Sequence, residues 1–192
     1  GDSDVLTIEE KCHFPKGSVI SLLGHSGSGK STFLNITGLL DTADEIILSY
    51  TNNENTFDYE VKMNELEMDS LRMKEFGFIF QSGHLLNHLN TIENIAFPLH
   101  LKGEDYKESL IFARKNAKAL QLPEYTFKNY PDQLSGGEYH RAAVARAMIK
   151  NPSVIFADEP TGNLDPDIAK AVMGYLIKWK DSPSANEASR SL

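Results

Sequence analysis

The sequence predicts an α/β fold: a mainly parallel sheet with helices, a small antiparallel β portion and an inserted α-helical lobe. Three observations predict it. Short continuous apolar runs end in a glycine turn or in carboxylates, as strands at the buried centre of a parallel sheet do. Segments with apolar residues every three or four positions lie between and after these runs. A polar stretch with a turn signal, residues 41–69, separates the first run from the second and has room for short antiparallel strands.

The first run is Val19-Ile20-Ser21-Leu22-Leu23, which reads as a buried strand. Glycines follow at once, and then Phe33, Leu34, Ile36, Thr37 and Leu40 recur at helical spacing. In the polar stretch, Asn52-Asn53-Glu54-Asn55 marks a turn. Phe76-Gly77-Phe78-Ile79-Phe80 is the second strand. The helical lobe is placed at residues 82–133. Within it Leu110, Ala113, Ala117 and Leu120 define one face of a helix over 106–121. A further helix is expected over 139–150, stopping before Asn151-Pro152. Val154-Ile155-Phe156-Ala157 is the third strand and ends on Asp158 and Glu159. Asp165-Pro166 has the form of an N-cap followed by proline at the first helical position. Ile168, Val172, Leu176 and Trp179 then share a face. Residues 181–192 are rich in Ser, Ala and Pro and read as a loop or linker.

With 192 residues the chain suits one domain with a real core. Acidic side chains outnumber basic ones by 27 to 19, a net charge of −8, which argues against broad nucleic-acid binding through phosphate neutralisation. The single cysteine, Cys12, allows no internal disulfide and fits a reducing compartment. No apolar run approaches the roughly 20 residues of a membrane-spanning helix. The start, Gly1-Asp2-Ser3-Asp4, lacks the basic and apolar regions of a signal peptide.

The chemistry starts at Gly24-His25-Ser26-Gly27-Ser28-Gly29-Lys30-Ser31, which fits G-x-x-x-x-G-K-[ST] in full. Glycines let the backbone curl so that its N–H groups face phosphate oxygens. The helix beginning near Lys30 adds its positive end. Lys30 can reach β- and γ-phosphates, and the Ser31 hydroxyl can ligate Mg²⁺. Asp158, at a strand end, can hold Mg²⁺ through water, and Glu159 can polarise an attacking water as general base. Alone, that carboxylate pair could also be a plain strand terminus. Leu134-Ser135-Gly136-Gly137-Glu138 combines a helix start with two glycines that permit close backbone approach, a second anion site. By itself it could equally be a simple serine cap. His84 and His88, four apart, have the spacing of two metal ligands on a helix face, with no third ligand evident.

Taken together, these motifs resemble the ATP-binding subunit of ABC transporters. The loop from Gly24 to Thr32, Gln81 after the second strand, Leu134 to Glu138, Asp158-Glu159 and Leu164-Asp165 stand in that family's order and spacing. The resemblance implies a P-loop NTPase core and a homodimer that closes head to tail around two ATP molecules. Gly24, His25, Ser26, Gly27, Ser28, Gly29, Lys30, Ser31 and Thr32 would hold ATP from one chain, and Ser135, Gly136 and Gly137 from the other. It implies that Glu159, Lys30 and Gln81 are catalytic, and that Ser31, Gln81 and Asp158 serve Mg²⁺. Asn163-Leu164-Asp165 would couple the two sites. A separate transmembrane permease would be the partner, placing the chain on the cytoplasmic face of the membrane. Phe78 to Leu86 and Ala157 to Asp165 further resemble the subgroup of lipoprotein-release, macrolide-export, antimicrobial-peptide-resistance and cell-division ATPases.

Two departures accompany the resemblance. The family stacks adenine on an aromatic residue upstream of the loop, and the nearest here is Phe14. The family also has a further strand ending in a histidine that contacts the γ-phosphate, whereas no histidine follows His140. On this reading the cassette is C-terminally incomplete, and nucleotide binding survives better than hydrolysis.

Other functions fit less of the sequence. A small-molecule kinase would use the Gly24–Ser31 loop but not Leu134–Glu138. Soluble relatives acting on DNA carry a coiled coil for which the interval from Gln81 to Leu134 is too short, and ribosome-associated relatives carry two cassettes. An ATPase regulating an envelope or cell-division complex without transport remains the alternative.

Overall fold

A parallel β-pair and a group of alanine-rich helices organise the better part of the chain. The computed structural model describes residues 12–42, 47–51, 56–60, 65–162 and 164–181. They fall into two compact units, Gly1–Asp69 and Ser70–Leu192.

In the first unit the glycine-rich loop leads into α1 (Lys30–Thr37). Strands β1 (Ile47–Thr51) and β2 (Thr56–Glu60) then pair antiparallel, with Ile47 opposite Glu60 and Thr51 opposite Thr56. The expected antiparallel portion is therefore present; the Asn52–Asn55 turn between its strands lies outside the described residues. The expected strand at residues 19–23 is not formed. Val19 is 66% and Leu23 92% exposed. An apolar run becomes a strand only when a neighbour completes its ladder, and the described strands of this unit, β1 and β2, pair with each other.

Helix α2 (Glu65–Glu75) contains the division between the units and ends where β3 (Phe76–Ile79) begins. In the second unit β3 pairs in parallel with β4 (Val154–Ala157), Phe76 opposite Val154 and Ile79 opposite Ala157. Phe76, Phe78 and Phe156 pack on one another along this pair, with ring centroids 5.1 to 6.4 Å apart. The fold is thus α/β with a parallel sheet, as the sequence predicts.

Helices α3 (Thr91–Leu101), α4 (Tyr106–Ala119) and α5 (Gly136–Met148) form the core with β3. Ala96, Ala113, Ala117, Ala142, Ala143 and Ala145 are all buried there. Such small side chains let helix backbones approach closely, and Ile92, Ile95, Leu120 and Val144 fill the space left. Burying a side chain such as Ile95 contributes about 1.5–3 kcal/mol. The face predicted for α4 is the buried one.

Helix α3 starts on a reciprocal cap: Asn90 Oδ1 accepts from Glu93 N, and Glu93 Oε2 accepts from Asn90 N. Next to it the buried Asn94 accepts from Leu86 N at 2.7 Å and donates to the carbonyls of Leu86 and Leu89. That fastens the segment after β3 to α3. Helix α6 (Pro166–Asp181) begins as predicted, with Asp165 Oδ1 accepting from Asp167 N and Ile168 N. Val172 is fully buried, and Ile168, Leu176 and Trp179 pack beside it. Among the described residues no helix is long and apolar enough to cross a membrane.

Lys150 closes the join between α5 and β4 by donating to the Arg72 carbonyl at 2.7 Å. Burial pushes its pKa down from 10.5 to about 8, with Lys102 pushing the same way and Glu75 opposing. The unfolded chain therefore binds more protons than the folded one between these two values. Stability rises with pH across that window. The cost of the buried charge is full below about pH 8 and relieved as the ammonium deprotonates. Thermal unfolding of the wild type and Lys150→Met should show the wild type gaining on the variant from pH 8 to pH 10. A constant difference would mean that Lys150 keeps its ordinary pKa.

Candidate functional site

The glycine-rich loop takes its shape from Gly27 and Gly29, whose φ angles of 78° and 83° lie in the left-handed region that other residues enter at a cost. Between them Ser28 N donates to His25 O at 3.2 Å. The chain so curled delivers Lys30 as the first residue of α1, and the first turn of a helix directs N–H groups outward along its axis. The Lys30 ammonium folds back over the loop, donating to Gly24 O at 3.0 Å, His25 O at 2.7 Å and Ser28 Oγ at 3.4 Å. A cation held by loop carbonyls beside a helix N-terminus is placed to exchange those carbonyls for phosphate oxygens. Ser31 is exposed and Thr32 half-buried on the same turn. Phe14 packs edge-on against Phe33, with ring centroids 6.2 Å apart.

In the second unit the register of β3 and β4 decides what comes together. The two strands end side by side, and the ladder continues one step with Asp158 N donating to Ile79 O at 2.9 Å. Gln81, Asp158 and Glu159 therefore leave the sheet from one edge, the carboxyl end where open α/β sheets bind ligands. Gln81 Nε2 donates to Glu159 Oε2 at 2.7 Å. Glu159 itself is left-handed, φ 48°, and starts a tight turn in which Gly162 N donates to Glu159 O. The buried His140, on α5, holds this turn through Pro160 O at 2.5 Å. Asn163 lies outside the described residues.

At the start of α5 Ser135 is the cap. Its Oγ accepts from Glu138 N at 3.4 Å, while Glu138 Oε2 accepts from Ser135 N at 2.8 Å. The other Glu138 oxygen accepts from the Tyr125 hydroxyl. Burial alone would raise the pKa of Glu138. The hydrogen bonds from Tyr125 and Ser135, with the nearby Arg141 charge, outweigh it and hold the carboxyl below its usual range. Both oxygens are thus engaged by hydrogen-bond donors. The helix starts at Gly136, at the helix start read from Ser135 and three residues before the segment expected over 139–150, because this reciprocal cap extends it.

The two histidines read as a possible metal pair are not on a helix. His84 has φ 50° and its Nε2 lies 2.7 Å from Ser82 Oγ. Among the described residues no three His, Cys, Asp or Glu side chains are grouped to hold a metal ion.

Comparison with known proteins agrees with this layout. The sequence profile of the ABC transporter family matches residues 10–162. The chain belongs to the ABC transporter family. It is an ATP-binding domain of that family, and its fold is that of the ABC ATPase cassettes. It is 39% identical over 181 residues to the lipoprotein-releasing system ATP-binding protein LolD of Rickettsia bellii, covering 93% of this chain and 76% of the relative. The dimeric ABC transporter cassette MJ0796 superposes with a TM-score of 0.82 at 34% identity, covering 91% of this chain and 75% of that one. A dimeric post-hydrolysis state of MJ0796 bound to ADP and Pi gives 0.81.

Sequence reasoning named Gln81 and Glu159 but not the bond between them. It also missed Tyr125 as the partner of Glu138 and His140 as the holder of the Pro160 turn. Each is a contact between distant segments that leaves no periodic or motif signal.

Proposed function

We propose that this cassette hydrolyses ATP to power an ABC transporter of the exporter or mechanotransmission type, through ATP-driven closure of a homodimer docked on a separate transmembrane permease. It works at the cytoplasmic face of the membrane. The observation that carries this reading is the Glu159 carboxylate held by the Gln81 amide at the ends of two paired parallel strands. Glu159 is the general base for the attacking water, and Gln81 orients both. Residues Gly24 to Thr32 bind the phosphates, with Lys30 neutralising the developing charge. Ser135, Gly136 and Gly137 serve the ATP of the second copy.

Mg²⁺ would be served by the Ser31 hydroxyl of the first unit and by the Asp158 carboxylate and Gln81 amide oxygen of the second, each a hard oxygen ligand of the kind that ion prefers. When bound, the ion would supply positive charge against the phosphate oxygens. The LolD name of the Rickettsia relative favours lipoprotein release as the work performed.

The test is to capture the full-length tagged protein from detergent-solubilised membranes of its source and identify stoichiometric partners by mass spectrometry. A multi-span permease with two cassettes is the expected result. Soluble partners alone would move the function to a regulatory ATPase without transport.

A further inference from the structure

The segment after β3 is built around two consecutive left-handed residues, Gly83 at φ 67° and His84 at φ 50°. A non-glycine residue is disfavoured there, and the bend persists only if its surroundings enforce it. They come from α5. Arg146 Nη2 donates to Gly83 O and Nη1 to His84 O, each at 2.7 Å. Leu85 N donates to the Tyr139 hydroxyl at 2.9 Å. The Tyr139 ring lies so close that a Cβ on Gly83 would stand 2.5 Å from it. Tyr139 and Arg146 are seven residues apart, two turns along one helix face. The planar guanidinium suits this task because its fork can meet two carbonyls at once, which an ammonium cannot do with the same rigidity.

Gln81 sits only two residues before this grip. We propose that Arg146 is a positioning residue: by gripping the Gly83 and His84 carbonyls it fixes where Gln81 leaves β3 and so holds the Gln81 amide against Glu159. The proposal rests on the roles given above to Gln81 and Glu159. It adds that one helix, α5, capped by Ser135, sets the geometry of the glutamine. Tyr139 and the buried Asn94 hold the same segment further along, so loss of Arg146 should displace Gln81 without unfolding α3 or α5.

Steady-state ATPase kinetics of the full-length protein test this with Arg146→Gln, Arg146→Lys, Gln81→Ala and the double variant Arg146→Gln/Gln81→Ala. Nucleotide affinity is measured in parallel without Mg²⁺. Arg146→Gln should lower kcat by about tenfold to a hundredfold, the scale of a displaced catalytic group, with the Mg²⁺-free affinity unchanged. Arg146→Lys should fall between it and the wild type. The double variant should be no slower than Gln81→Ala alone, because the two changes remove one function. Multiplying losses would overturn the proposal and leave Arg146 a packing residue. If Gln81→Ala keeps full turnover, the role of Gln81 is wrong and the positioning proposal falls with it. Should Arg146→Gln fail to fold, Arg146→Lys paired with Gln81→Ala gives the same comparison.

Discussion

Glu159→Gln is expected to bind ATP normally while turnover falls by about 10²–10⁴-fold, the range spanned by loss of a general base. Glutamine has the size of glutamate and tolerates the same backbone. The left-handed φ of 48° at this position therefore adds no new strain. The carbonyl of the new amide can still accept from Gln81 Nε2, which now donates to Glu159 Oε2 at 2.7 Å. The turn held by His140 through Pro160 is untouched. What disappears is the capacity to take a proton from water. Hydrolysis is blocked after closure, so the variant should accumulate an ATP-bound dimer. Phosphate release reads the first effect. Sedimentation with ATP against ADP reads the second. Unchanged turnover would remove Glu159 from the base role, and lost turnover without a dimer would break the link between ATP and closure. Glu159→Ala would be a poorer probe, because it also deletes the contact with Gln81.

Most of the second unit was legible because its elements are local. Four apolar residues ending on two carboxylates specify β4 with its limits. The three- and four-residue spacing of Leu110, Ala113, Ala117 and Leu120 specifies α4 and its buried face, since a helix of that amphipathicity has one way to dry itself. Asp165-Pro166 states the start of α6 because the cap and the proline each need that position. The loop at Gly24–Ser31 was legible for a different reason: its spacing encodes a backbone conformation. The failures are those of partner choice. The apolar content of residues 19–23 shows a tendency to be buried, but a strand also needs a neighbour for its ladder, which composition does not name. The spacing of His84 and His88 suggested a shared helix face, yet Arg146, 62 residues downstream of His84, holds a bend there instead. The apolar pattern of α5 begins at Tyr139, but the Ser135–Glu138 cap, steadied by Tyr125, starts the helix at Gly136.

Lys30→Ala is expected to weaken ATP binding by roughly a hundredfold, about 3 kcal/mol, the upper part of the range for a hydrogen bond to a charged group. Little of that loss should come from the fold. The acceptors now satisfied by the ammonium are carbonyls and a hydroxyl of an exposed loop, and water can replace the lysine at each. The curl of the loop comes from Gly27 and Gly29 and does not need the side chain. Thermal unfolding without nucleotide should therefore be nearly unchanged. The stabilisation that ATP adds to the wild type should largely vanish at the same ATP concentration. Isothermal titration with ATP measures the affinity directly. Undiminished affinity would contradict the phosphate-binding assignment of the loop. A large drop in unfolding temperature without ligand would mean that Lys30 serves as a structural staple for its own loop. The pattern also separates the two halves of the proposed chemistry. Lys30→Ala should lose binding, whereas Glu159→Gln should keep it and lose only the reaction. Two variants failing in the same step would show that the glycine-rich loop and the β4 carboxylate do not divide binding from catalysis.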